Sequence, residues 1–93
     1  MVVGLIKGRH NLPPHVTEYI WQKDIRDVTD VEAMDLHADE WVRNARPAWL
    51  TIYVTGLTQA LVSVVKACHR YRIPLLLMHY NRQTKEYFKQ RVF

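Results

Sequence analysis

The sequence has a single cysteine, Cys68, among 93 residues. That excludes an intramolecular disulfide and leaves too few thiolates for a cysteine-based zinc site. Only three glycines are present, Gly4, Gly8 and Gly56. None completes a G-x-G-x-x-G turn or a P-loop, so ordinary dinucleotide and nucleoside-triphosphate chemistry are both unsupported. Long hydrophobic runs are also missing. The longest, Ile73 to Met78, contains Pro74 and falls far short of the ~20 apolar residues that span a bilayer. The apolar start, Val2 to Ile6, is interrupted at Lys7 and Arg9, too early for a signal peptide. No membrane partner is expected, and a cytoplasmic location is, where a lone cysteine stays reduced.

What is present suits a folded globule. Hydrophobic residues make up 48% of the chain and there are three tryptophans, unlike a disordered tail. The length allows one domain, residues 1–93, close to the lower limit for a core without covalent staples. A homodimer is therefore expected to add buried area. The net charge of +4 is unevenly spread. Residues 66–93 hold Lys66, Arg70, Arg72, Arg82, Lys85, Lys89 and Arg91 against only Glu86, whereas Glu18 to Glu40 holds eight carboxylates against Lys23 and Arg26. Either these are solvated faces, or the basic third meets a phosphate-bearing partner.

Val2 to Ile6 reads as a buried strand, followed by a polar loop, Gly8-Arg9-His10-Asn11. Pro13 and Pro14 suit a first helical turn, and Leu12, Val16, Tyr19 and Ile20 predict a helix to about Gln22. Asp24 to Val28 reads equally as a short edge strand or a connection. Thr29-Asp30-Val31-Glu32 matches a capping box. Behind it Val31, Met34, Ala38, Trp41, Val42 and Ala45 predict a helix ending near Arg46-Pro47. Trp49 to Val54 reads as a central strand, and a third helix starts near Thr58 with its apolar stripe running from Ala60 to Tyr71. Ile73 to Tyr80 is a buried strand, Asn81 to Thr84 a hairpin turn, and Lys85 to Phe93 an edge strand guarded by its charges. The order β-α-(β)-α-β-α-β-β predicts a small Rossmann-like α/β fold, a mostly parallel sheet with a C-terminal antiparallel β-hairpin.

Ligands of such sheets bind beyond the carboxyl ends of the strands. Two loops meet that condition, Gly8 to Asn11 and Thr55 to Gln59. In the second, Gly56 permits close approach of a ligand to the backbone. The helix that follows offers unpaired N–H groups, and the Thr55 and Thr58 hydroxyls can donate to phosphate or ribose. The same residues also read as an ordinary capping turn with Thr58 at the cap. In the first loop Arg9 can pair with phosphate, His10 brings a titratable ring and Asn11 an amide; an exposed loop with a surface histidine is the plainer alternative.

The run Leu50-Thr-Ile-Tyr-Val-Thr55-Gly56-Leu57-Thr58-Gln59-Ala-Leu61 resembles the strand–turn–helix of the CRISPR-associated Rossmann-fold (CARF) family. There a Thr-Gly-rich turn cradles cyclic oligoadenylate across a homodimer. The element order looks like the single-domain members, some of which are ring nucleases that cleave the cyclic messenger. Leu57 and Gln59 stand where the family's turn commonly has a second glycine and a lysine. The resemblance implies a ligand site at Thr55, Gly56, Leu57, Thr58 and Gln59, to which the first loop and the strand end add Gly8, Asn11 and His79 as candidates. If the chain cleaves such a ring without metal, a 2′-hydroxyl attacks its own phosphate, and His10 is the candidate acid or base and Arg9 the candidate charge stabiliser. No cofactor is implied.

Five histidines raise a metal hypothesis, but none forms H-x₃-H on one helix face or H-E-x-x-H, and no metal site is expected. His79-Tyr80 is a pair at the ligand edge or a packed aromatic pair. Cys68 lies on an apolar stripe and reads as a small buried hydrophobe. Two other functions fit the same sequence: a non-enzymatic interaction or inhibitor protein of phage or mobile-element type, and a nucleic-acid binder using the basic C-terminal third.

Overall fold

The computed structural model describes every residue, Met1–Phe93. Five strands and two helices follow in the order β1 (Val2–Ile6), β2 (Tyr19–Trp21), α1 (Val31–Ala45), β3 (Leu50–Tyr53), α2 (Thr58–Arg70), β4 (Leu75–Asn81) and β5 (Glu86–Arg91). The sheet runs β2-β1-β3-β4-β5. Its first four strands are parallel and β5 returns antiparallel on β4. The expected α/β class, mostly parallel sheet and terminal hairpin are all present.

One expected element is different. Residues 13–22 form no helix. Pro13 and Pro14 lead into a turn closed by Val16 N–H donating to Pro13 O at 2.9 Å, and Tyr19–Trp21 pairs in parallel with β1. Two prolines supply no donors to a helix ladder, and Tyr-Ile-Trp favours a pleated surface. Pairing with β1 buries Ile20 and Trp21. Asp24 to Val28 is a connection, not a strand.

Helix α1 starts one residue later than the capping box predicts. Asp30, not Thr29, is the N-cap, its Oδ1 accepting from Ala33 N–H at 3.1 Å. Asp27 has captured Thr29, accepting from its hydroxyl at 2.6 Å and its N–H at 3.0 Å. Met34, Ala38 and Val42 form the buried stripe. The helix ends where Arg46 turns left-handed at φ 45°, just before Pro47, which cannot continue it.

Both helices lie together on one face of the sheet. Val3, Leu5, Leu50, Ile52, Leu75 and Leu77 meet Ala38, Val42, Val64 and Cys68 there in a single core cluster. A polar seam joins the helices. Asp35 accepts from Ser63 Oγ and Lys66 Nζ, each at 2.6 Å. Asp39 accepts from Arg70 at 2.5 Å and the Tyr71 hydroxyl at 2.9 Å. Part of the charge asymmetry in the sequence is thus answered within the molecule.

The opposite sheet face has no helix. Parallel sheets are normally covered on both sides; here the connection between β1 and β2 supplies part of that cover. Leu12 and Tyr19 lie against Gly4, and His15 meets Tyr53 edge-to-face at 5.5 Å. No helix of the structure is long and apolar enough to cross a membrane.

Candidate functional site

A cleft of about 690 Å³ opens beyond the carboxyl ends of β1, β3 and β4. It brings together four of the expected site residues, His10, Asn11, Thr55 and His79, and adds Tyr80, Arg82 and Tyr87. The β4–β5 pairing builds one wall, because Tyr80 stands opposite Tyr87. Their rings meet edge-to-face at 5.2 Å, and Tyr87 meets Tyr53 in the same manner at 5.0 Å. Burial, aided by the Tyr53 and Tyr80 phenols, pushes the Tyr87 phenol above its ordinary pKa. It therefore remains a neutral O–H donor under ordinary conditions.

His79 is oriented by Gln90, whose Oε1 accepts from Nε2 at 2.8 Å. Its ring also tilts against Phe88 at 5.4 Å. His10 and Arg82 are exposed at the cleft, free to meet an anion. Asn11 and the outward Tyr80 complete a mouth with donors, a cation and aromatic surface, a lining suited to a small polar ligand.

The turn after β3 is built differently from an open phosphate cradle. Thr55 is 5% exposed. Its Oγ1 accepts from Ile6 N–H at 3.3 Å and donates to Gly56 O, so the hydroxyl ties β3 to β1. Leu57 is the N-cap of α2 and has no side-chain capping bond. Thr58 is the first helical residue rather than the cap. Gln59 donates to Val28 O at 2.8 Å and so anchors the connection leading to α1. Gly56, Leu57, Thr58 and Gln59 do not line the cleft.

Arg9 stands between the two loops. Its Nε donates to Asp24 Oδ1 at 2.7 Å, and its Nη1 would lie 3.2 Å from a Cβ at Gly56. The Arg9 hydrogen bond, together with the Ile25 N–H, holds the Asp24 carboxyl below its usual pKa. Gly8 takes φ 90°, a conformation that favours glycine. This lets the chain leave β1 and place Arg9 over the turn and His10 in the cleft.

A second large cleft, about 670 Å³, lies between β2 and α1. Trp21 and His37 stack there with centroids 4.6 Å apart, and His37 Nε2 donates to Ile20 O at 2.7 Å. Its carboxylates are occupied: Asp24 by Arg9, Asp27 by Thr29 and Asp30 by the α1 cap. Its carboxylates thus serve local structure, and the first cleft, beyond the strand ends, is the candidate. No group of three or more His, Cys, Asp or Glu side chains is placed to hold a metal ion.

Tyr80, Arg82 and Tyr87 gain their meaning only from the register of the hairpin. In the sequence the available signal is the alternation of Tyr87, Lys89 and Arg91 along one side of a strand. Comparison with family models, curated proteins and solved structures finds no match to this chain.

Proposed function

We propose that this chain binds a nucleotide-class anion in the cleft beyond β1, β3 and β4, with cyclic oligoadenylate, the ligand implied by the CARF resemblance, as the species to test first. The observation that carries this reading is the convergence of His10, Asn11 and Arg82 with the Tyr80 and Tyr87 rings in one open cleft. Aromatic faces take bases, and an arginine fork takes phosphate.

Cleavage in this cleft follows the chemistry of RNA. A ribose 2′-hydroxyl attacks the adjacent phosphorus, and the bond to the 5′-oxygen breaks. The 2′-hydroxyl gives up its proton, a 2′,3′-cyclic phosphate forms and the departing 5′-oxygen takes up a proton. His10 is the acid or base of that transfer, and Arg82 stabilises the phosphorane charge. Arg9, held by Asp24, is a positioning residue that fixes the loop carrying His10. In this reading the protein works in the cytoplasm as a homodimer.

Incubation with cyclic tri-, tetra- and hexa-adenylate, followed by chromatography and by calorimetric titration, tests it. Binding of one ring size, lost in His10→Ala and Arg82→Ala, is the expected result. Absence of both heat and product for every ring size would sink the proposal.

A further inference from the structure

The β1–β2 connection covers only part of the second sheet face. The β4–β5 side stays open, and register fixes what it displays. Leu76 stands opposite Arg91, Met78 opposite Lys89 and Tyr80 opposite Tyr87. Cross-strand partners share a face, so these side chains form two adjacent stripes. Leu76 and Met78 are half-buried, Lys89 and Arg91 are exposed, and Tyr80 is 48% exposed.

The charge on this face is of one sign. The hairpin's only carboxylate, Glu86, is one residue from Tyr87 and so alternates to the helix side. Ion pairs occupy Arg9, Lys66 and Arg70. No Asp or Glu side chain pairs with Arg82, Lys85, Lys89 or Arg91; Arg91 Nη1 donates to the main-chain oxygen of Phe93 at 3.4 Å. Four of the ten cations outside these three ion pairs therefore lie on one hairpin, beside the exposed Tyr80 ring and the half-buried Met78 thioether.

We propose that this open sheet face binds single-stranded nucleic acid, with bases against Tyr80 and Met78 and the phosphate backbone followed by Lys89 and Arg91. Stacking surface flanked by cations is the physical requirement for such binding. A second copy of the chain is a poorer occupant. A two-fold contact through this face would set the Lys89–Arg91 stripe near its own image with no carboxylate to offset it. A duplex is also poorer, because its bases stay stacked on one another and not on a tyrosine.

Lys89 and Arg91 do not line the cleft, so the two proposals separate at these residues. Fluorescence anisotropy with a labelled oligouridylate of about twelve nucleotides and a duplex of equal length reads the binding. The wild type is expected to prefer the single strand. Lys89→Glu/Arg91→Glu should weaken it at least about tenfold, and Lys89→Ala/Arg91→Ala should lower the salt slope by about 1.4, two contacts at ~0.7 each. Tyr80→Ala should weaken binding about fivefold or more with the slope unchanged. Circular dichroism on each variant confirms that these exposed substitutions leave the fold intact. The Lys89→Glu/Arg91→Glu protein should still bind any cyclic oligoadenylate that the wild type binds. Failure of the cyclic ligand with the wild type would end the cleft proposal and leave the strand titration readable. No strand binding at about 50 mM salt, or equal binding by the charge-reversed protein, would overturn the present one. So would sedimentation showing a wild-type dimer that the charge reversal dissociates.

Discussion

The Tyr19 ring lies so close to Gly4 that a Cβ built on the glycine would stand 2.5 Å from Cε1 and 2.6 Å from Cδ1, with Leu12 Cδ1 at 2.8 Å. A central parallel strand thus depends on one residue having no side chain, because the cover over that face comes from β2 and the loop before it. Gly4→Ala must push the ring and Leu12 away together. Overpacking of this kind costs about 1–3 kcal/mol. Urea unfolding should show a loss within that range, partly recovered in a Tyr19→Ala background, since touching residues couple.

Thr55 offers a second test. Its hydroxyl is the acceptor for the Ile6 N–H in a nearly closed site. Thr55→Val keeps the shape and removes the acceptor, leaving a buried donor unsatisfied, which costs about 1–3 kcal/mol. Thr55→Ser should restore most of it. Equal unfolding midpoints for the wild type and Thr55→Val would show that the hydroxyl does not tie the strands.

The α1–α2 seam predicts an acid response. The Lys66 hydrogen bond, then that of Ser63, lowers the Asp35 pKa from its ordinary 3.8. A carboxyl with a depressed folded-state pKa stabilises the fold fully above its ordinary value, and that contribution is lost as pH falls through the folded value. The pair is partly exposed, with 39% of the Asp35 side chain accessible, so solvent limits it to about 0.5–1 kcal/mol. Asp35→Asn should be less stable by that amount at pH 7, with the gap to wild type closing below about pH 4. A gap that stays constant through the acid limb would contradict this assignment.

Cys68 is fully buried, and burial pushes its thiol up to about 11. The thiolate is the reactive form. A thiol reagent at pH 8 should therefore label the native protein no faster than it unfolds, and the denatured protein at once. Rapid labelling of the folded chain would mean that the α2 stripe opens locally.

The residues that announced the fold did so by local pattern. Met34, Ala38 and Val42 lie on the predicted stripe of α1, and the β-branched runs at Val2–Ile6 and Leu50–Tyr53 are strands. The pattern misled where a local signal met a stronger tertiary one. Pro13 and Pro14 suit a helix start, but the edge of β1 gave Tyr19–Trp21 a partner that periodicity could not reveal. Asp27 likewise outcompeted the cap for Thr29. At the site, His10, Asn11, Thr55 and His79 were legible because strand ends collect ligands. Tyr87 was not, since its place opposite Tyr80 is set by hairpin register. Gly56 to Gln59 stood out as a motif, yet Arg9 and Val28 engage Gly56 and Gln59.

The loop between β1 and β2 carries His10 into the cleft and Leu12 onto Gly4, where Tyr19 at the start of β2 completes the roof. Its length is therefore set twice. An insertion that widened the mouth around His10 would also slide the roof off the strand, and a deletion that tightened the roof would withdraw His10. Loop tips usually tolerate changes in length. Here tolerance should be lowest in the longest segment without helix or strand, and a library of insertions along the chain should find the α1 to β3 connection permissive and residues 9–18 closed.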